Sequence, residues 1–344
     1  MEETNDRTVS NRPLKEKKPM DPKTKKNLLT WLVIVAIVFG IAVLFQFAAQ
    51  KFGDWIGMEP DLPDRYPYIG VIYVEGTIIE NQTDSFGIPV GYQHQWTLDE
   101  INMLIEDDMN KGLIIFVDSP GGGVYESDEL YLKLNEYKEN TGRPVYSAMG
   151  SMAASGGYYI SAAADKIVAN RNTWTGSIGV TIGTFYDISK FLEKNGIDTI
   201  TITSGANKAM GSMTEPMSEE QKAIFQALVD ECYDQFTGIV AEGRGMGIDK
   251  VKSIADGRIY TAKQALELGL IDAVGTKQDA IADMQENYEL FDCDVIDITY
   301  VDKTIWGMLL NSFVPRTPPG DVSALLDLVS RGEGAPIQYM YDWQ

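Results

Sequence analysis

Gly112-Leu-Ile-Ile-Phe-Val-Asp-Ser-Pro-Gly-Gly-Gly123 is the stretch that decides the fold. Its apolar run from Leu113 to Val117 is continuous and too short for a buried helix, so it reads as a strand covered on both faces. Proline and three glycines then stop the strand, and the following residues, Tyr125 to Glu139, carry a helical pattern. Upstream, Tyr68 to Val74 reads as a strand, and Leu98, Ile101, Leu104 and Ile105 give helical spacing over 98–109. Strand, helix and strand in this order form a β-α-β unit, which joins parallel strands. Working outward, strands are expected at 145–148, 166–169 and 197–202, with helices at 155–164, 188–194 and 218–242. The last of these opens with a capping box, Ser218 and Gln221. Beyond Arg258 the chain is helix-rich, then gives a strand at 294–301, two short helices and a tyrosine-bearing tail, Tyr339-Met-Tyr341. The fold class is α/β with a mainly parallel sheet.

The 344 residues are 44% hydrophobic and 10% aromatic, enough for a large packed core. A formal charge of −21 excludes nucleic acid as a partner, because phosphate contacts need clustered Lys and Arg. Cys232 and Cys293 form no CxxC and no cluster with the single histidine, His94, so no metal centre is expected. Whether the two thiols are bonded cannot be read from their spacing. From Leu28 to Ala49 the chain reads LLTWLVIVAIVFGIAVLFQFAA without a charge, long enough to span a bilayer as one helix. A cleaved leader is the rival reading, but Phe47 stands where a small residue is wanted. Eight basic residues precede the span (Arg7, Arg12, Lys15, Lys17, Lys18, Lys23, Lys25, Lys26), which keeps the N-terminus cytoplasmic. The expected organisation is a charged cytoplasmic tail at 1–27, an anchor at 28–49, a linker at 50–65, an extracytoplasmic domain at 66–315 and a C-terminal tail at 316–344.

Chemistry concentrates where strands run out into glycine. The Asp118-Ser-Pro-Gly-Gly-Gly123 loop leaves backbone N–H groups free at the carboxyl edge of the sheet, where they can hold an oxyanion. No Gly-x-x-x-x-Gly-Lys-Ser/Thr phosphate loop occurs. The second glycine site is Ala153-Ala-Ser-Gly-Gly157, after a strand and at a helix start. It lacks the glycine two residues before the serine of a Gly-x-Ser-x-Gly elbow. Ser155 is nevertheless the candidate nucleophile, with the N–H of Gly156 adjacent, and a simple helix cap is the bland alternative. Two bases compete. His94, with Asp118, gives a His, Asp, Ser order but lies in a polar loop, Tyr92-Gln-His-Gln-Trp96. Lys208 follows the 197–202 strand and the small residues Ser204-Gly-Ala206, whereas Lys190 and Lys194 sit on a solvated helix. A lysine serves as base only when neutral, which burial achieves by lowering its pKa from ~10.4 toward ~7–8, a change worth ~4 kcal/mol.

Taken in order, Asp118-Ser-Pro-Gly-Gly, Gly150-Ser-Met-Ala-Ala-Ser-Gly-Gly-Tyr-Tyr159, Thr175-Gly-Ser-Ile-Gly-Val180, Ser204-Gly-Ala-Asn-Lys208, Gly257-Arg-Ile-Tyr-Thr261 and Gly269-Leu-Ile-Asp272 resemble the short form of the bacterial signal peptide peptidase A family. The resemblance implies a Clp protease/crotonase-like β-α-β superhelical fold and a serine endopeptidase that works without a cofactor through a Ser-Lys dyad. By position it makes Ser155 the nucleophile, Lys208 the general base, Ser177 the residue that orients the lysine, and Gly122 and Gly156 the oxyanion-hole donors. It also implies a dome-like homo-oligomeric ring in which each dyad takes Ser and Lys from adjacent subunits, and remnant signal peptides as substrates. For the tyrosine-bearing tail two readings stand equally: a self-inhibitory peptide docked in a neighbouring subunit's groove, or a disordered or packed tail. Two readings from other classes stand beside the peptidase: a crotonase-like acyl-CoA enzyme, and a non-catalytic membrane scaffold.

Overall fold

The computed structural model describes residues 66–80, 82–83, 89–301 and 338–340. The expected charged tail, membrane span and linker, and the two short helices after residue 301, lie outside the described residues. Among those described, no helix is long and apolar enough to cross a membrane.

The chain begins with β1 (Tyr68–Glu75), α1 (His94–Glu106), β2 (Asn110–Ser119) and the short β3 (Gly121–Gly123). It continues with α2 (Val124–Thr141), β4 (Val145–Ala154), α3 (Gly156–Ser161), β5 (Lys166–Ala169), β6 (Trp174–Gly176) and α4 (Ser189–Lys194). Then come α5 (Glu219–Gly243), α6 (Ile248–Ile254), β7 (Ile259–Thr261), α7 (Ala262–Leu268), β8 (Ala273–Val274), α8 (Lys277–Asn287), β9 (Asp294–Ile298) and, far downstream, β10 (Gln338–Met340). The main sheet runs β7-β6-β4-β2-β1-β9, with β5 and β8 branching from β4. Every pair in it is parallel except β6 with β7.

Side-chain alternation explains the apolar runs. Leu113, Ile115 and Val117 of β2 face a core built with α1, α2, α3 and α5, while Ile114 faces the opposite core with Ala280 and Met284 of α8. Both faces are therefore covered, as parallel sheets require. β4 is the branching strand. Its first half, Tyr146 to Met149, pairs with β5, and its last residues, Met152 to Ala154, leave β5 for β6. That divergence carries the end of β4 out of the sheet body toward the glycine loop of β3.

Sequence features are borne out locally. Ser218 and Gln221 form the expected capping box on α5, and Thr261 with Gln264 forms another on α7. Asp272, at the end of the Gly269-Leu-Ile-Asp motif, accepts the Ile167 N–H at 2.7 Å and a two-pronged contact from Arg244 at 2.6 and 3.0 Å. Arg244 also donates to the Gly269 carbonyl at 3.0 Å, so one buried guanidinium ties α5 to the α7–β8 corner. Three expectations fail. Residues 197–202 are not a strand: Ile200 and Ile202 are 87% and 93% exposed, and within one chain no neighbouring strand pairs with them. The first helix starts at His94, where a loop was expected, because Thr97, Leu98, Ile101 and Leu104 continue one buried face back to it. The strand at 294–301 ends at Ile298, where its pairing with β1 ends at Ile72. Replacing Arg244 by Ala should lower stability by about 2 kcal/mol, since Asp272 loses both guanidinium bonds and keeps only the Ile167 N–H while the Gly269 carbonyl loses its donor, and denaturant unfolding of the full chain reads this directly.

Candidate active site

Ser155 sits where β4 turns into α3, with φ 53° and ψ −117°. A residue with a Cβ is strained at such positive φ, by about 1–3 kcal/mol, and holds it only where its surroundings dictate it. Two backbone bonds do so. Its N–H donates to the Gly176 carbonyl at 2.9 Å, and its C=O accepts the Tyr159 N–H at 2.8 Å. The residue is 1% exposed and its Oγ has no hydrogen-bond partner. The cap reading therefore fails, because the side chain makes no capping bond to α3. A buried hydroxyl left unpaired costs a further ~1–3 kcal/mol, so strain and unmet bonding fall on one residue.

Glycines build the surroundings by close approach. Ile78 accepts from the Gly123 N–H at 2.7 Å and donates to the Gly121 carbonyl at 2.8 Å, which leaves the N–H and C=O of Gly122 on the opposite edge of β3. A Cβ on Gly122 would stand 1.9 Å from the Ile78 carbonyl oxygen, and one on Gly157 would stand 2.9 Å from that of Ser119. A Cβ on Gly156 would lie 3.1 Å from the Gly122 nitrogen, so the two expected oxyanion donors belong to backbones pressed against each other beside Ser155. β10 lies antiparallel on β3, with Tyr339 opposite Gly122.

Ser177 is brought in by pairing. Ala154 stands opposite Gly176 across β4 and β6, so the next residues, Ser155 and Ser177, are neighbours. Ser177 has φ 49°, donates its N–H to the Arg258 carbonyl at 2.8 Å and is 5% exposed. The Gly257-Arg-Ile-Tyr-Thr motif is thus the strand that pins Ser177, and Tyr260 anchors it by donating to the Ile254 carbonyl at 2.8 Å. An open cleft of about 460 Å³ begins at Ser177 and is walled by Gly179, Asp230, Tyr233 and Asp256.

Lys208 is exposed on the arm formed by 181–217, and among the described residues its Nζ makes no hydrogen bond or ion pair. It is not brought to Ser155 within one chain, whose Oγ has no partner. His94 is no nearer to serving. It is buried, its Nδ1 takes the Tyr92 hydroxyl at 2.8 Å and its Nε2 meets Glu129 at 2.9 Å, so both ring nitrogens are occupied. Asp118 is likewise engaged elsewhere, accepting from the Ser151 hydroxyl at 2.7 Å and the Met152 N–H at 2.9 Å, which braces the end of β4. Cys232 and Cys293 are not joined, and burial pushes both thiols up. No cluster able to hold a metal occurs among the described residues. The Ile78 contact with β3 carries no signal in the sequence, where the Ile78-Ile79 pair after a turn is too short to read as an element.

Residues 137–290 match the model of Peptidase family S49. A protein of Enterococcus faecium named as a signal peptide peptidase SppA is 42% identical over 224 residues, 65% of this chain and 64% of that protein. One of Synechocystis named as a protease is 43% identical over 176 residues, 51% of this chain and 62% of its own length. The chain therefore spans somewhat under two thirds of these two relatives. A Methanocaldococcus jannaschii protein named as a protease is 34% identical over 272 residues, 78% of this chain and 84% of that protein. Agreement on this scale takes in the Ser155 turn, the Ser177 strand and the sheet that positions them, and it places the chain in peptidase family S49 with the SppA serine peptidases.

Proposed function

We propose that the chain is a membrane-anchored serine endopeptidase that cleaves remnant signal peptides and similar apolar peptides. The observation that carries the reading is the strained, buried and unpartnered hydroxyl of Ser155 beside the glycine backbones of 122 and 156. In the proposed step, neutral Lys208 takes the Ser155 proton as Oγ attacks the peptide carbonyl carbon. The N–H groups of Gly122 and Gly156 receive the carbonyl oxygen as it becomes an oxyanion. The tetrahedral adduct then expels the amine, which takes the proton from Lys208, and water hydrolyses the acyl-enzyme to restore Ser155. Ser177 accepts the lysine's hydrogen bond and fixes its direction. An acyl-CoA enzyme of similar architecture would use the two amides but would have no use for a serine held at this cost.

Because Lys208 lies away from Ser155 in a single chain, the proposed enzyme is a ring on a Clp-type superhelical scaffold, with Lys208 reaching the serine of a neighbour. The arm that carries it, with Phe191, Ile200 and Ile202 exposed, supports this arrangement. The anchor at 28–49, N-terminus in the cytoplasm, would hold the catalytic domain at the outer membrane face, where cleaved leader fragments remain. Substrate would bind as a strand along β3, the edge on which β10 lies. The C-terminal segment, in its own chain or a neighbour's, would then compete with substrate.

Ser155→Ala and Lys208→Ala should each abolish hydrolysis of an apolar fluorogenic peptide. Mixing and reassembling the two should restore about a quarter of wild-type activity, because random neighbours pair an intact serine with an intact lysine at that frequency. No recovery would remove the shared site. Ser155→Gly should also be inactive yet gain about 1 kcal/mol in stability, as glycine accepts the positive φ without strain. Truncation after Gly334 should raise kcat/KM by lowering KM, and an unchanged KM would separate β10 from the substrate groove.

A further inference from the structure

Ser127 lies on α2 one turn from its start and is 0% exposed. Among the described residues only two buried side-chain oxygens or nitrogens have no hydrogen-bond partner, and they are the hydroxyls of Ser155 and Ser127. A helical serine or threonine ordinarily satisfies itself by donating to the carbonyl four residues back. This chain does so repeatedly: Thr97 to Gln93 at 2.9 Å, Thr141 to Tyr137 at 2.6 Å, Ser161 to Gly157 at 2.7 Å and Thr237 to Tyr233 at 3.0 Å. Ser127 forgoes that bond. Its Oγ points instead at α3, where a Cβ on Gly156 would stand 2.5 Å from it and 3.1 Å from the Gly122 nitrogen. The hydroxyl is thus gathered at one point with both residues whose amides receive the oxyanion.

We propose that Ser127 is a third, side-chain donor of the oxyanion hole, an inference that rests on the peptidase reading. Its hydroxyl turns toward the carbonyl oxygen of the scissile bond as Ser155 adds, and shares its proton with that oxygen without transferring it. A donor that finds its partner only when charge develops lowers the barrier without tightening substrate binding. The hydroxyl's lack of a partner at rest is the counterpart of that role, since nothing has to be broken before it turns.

The test compares wild type, Ser127→Ala, Ser127→Cys and Ser155→Ala as full-length protein, using an apolar fluorogenic peptide and its peptide aldehyde, whose hemiacetal oxygen occupies the oxyanion position. Ser127→Ala should lower kcat on the order of 100-fold with KM unchanged, and should weaken the aldehyde by a similar factor. Its Tm should stay level or rise, because a buried unpaired oxygen has been removed. Ser127→Cys, which keeps the volume but offers only a weak donor, should lose kcat in the same direction. Wild-type kcat/KM in both Ser127 variants, with Ser155→Ala dead, overturns the third donor and leaves the peptidase reading standing. A fall in kcat matched by a fall in Tm makes Ser127 a packing residue and also overturns the proposal. Activity in Ser155→Ala removes the underlying reading and this inference with it.

Discussion

Backbone pressed against backbone where no Cβ fits is the constraint from which the rest of the structure follows. Gly122 against Ile78, Gly156 against Gly122 and Ser127, and Gly157 against Ser119 fix the separation between the β3 loop and the start of α3. Because that separation is set by main chain, the backbones of Gly122 and Gly156 have little freedom to drift. Side chains could not define the spacing so tightly, since each would bring its own rotamers. Beside this packing, the bonds of Ser155 to Gly176 and Tyr159 hold it at positive φ.

Branching of the sheet at β4 supplies the second requirement. A strand that stayed paired with β5 along its whole length would end inside the sheet, with its terminal residue facing a neighbour. By exchanging β5 for β6 after Met149, β4 delivers Ser155 beside Ser177, and the antiparallel β7 then locks Ser177 through Arg258. Peripheral-looking motifs such as Gly257-Arg-Ile-Tyr-Thr and Gly269-Leu-Ile-Asp thus act on the site through hydrogen bonds to its supporting strands.

Much of this was legible in the amino-acid order, and the failures have physical causes. The 113–117 run, the β-α-β unit and the Ser218 capping box are local signals, and the structure contains all of them. Ser155 was legible as a candidate because small residues surround it, but its strained φ depends on Gly176, distant in sequence. The 197–202 segment misleads because Ile200 and Ile202, two residues apart, give a strand pattern whether or not a sheet covers them. His94 reads as a loop residue because its polar neighbours hide the helix register that Thr97 and Leu98 set. Ser127 gave no signal at all, since an unpaired hydroxyl is a property of three elements meeting and of no single one. Lys208 follows the same logic at larger scale, as no group among the described residues engages it.

The order of the strands in the sheet has a consequence for how this protein is made. β1 is completed by β9, at 294–298, and the Ser177 strand by β7, at 259–261, so early strands wait for partners made long after them. Such long-range closure is slow and cannot begin until both partners exist. A nascent chain that has emerged as far as Ser177 holds Ser155 but lacks the Arg258 carbonyl that fixes Ser177. The order of synthesis therefore leaves the Ser155–Ser177 corner without its last brace until residue 258 has been made.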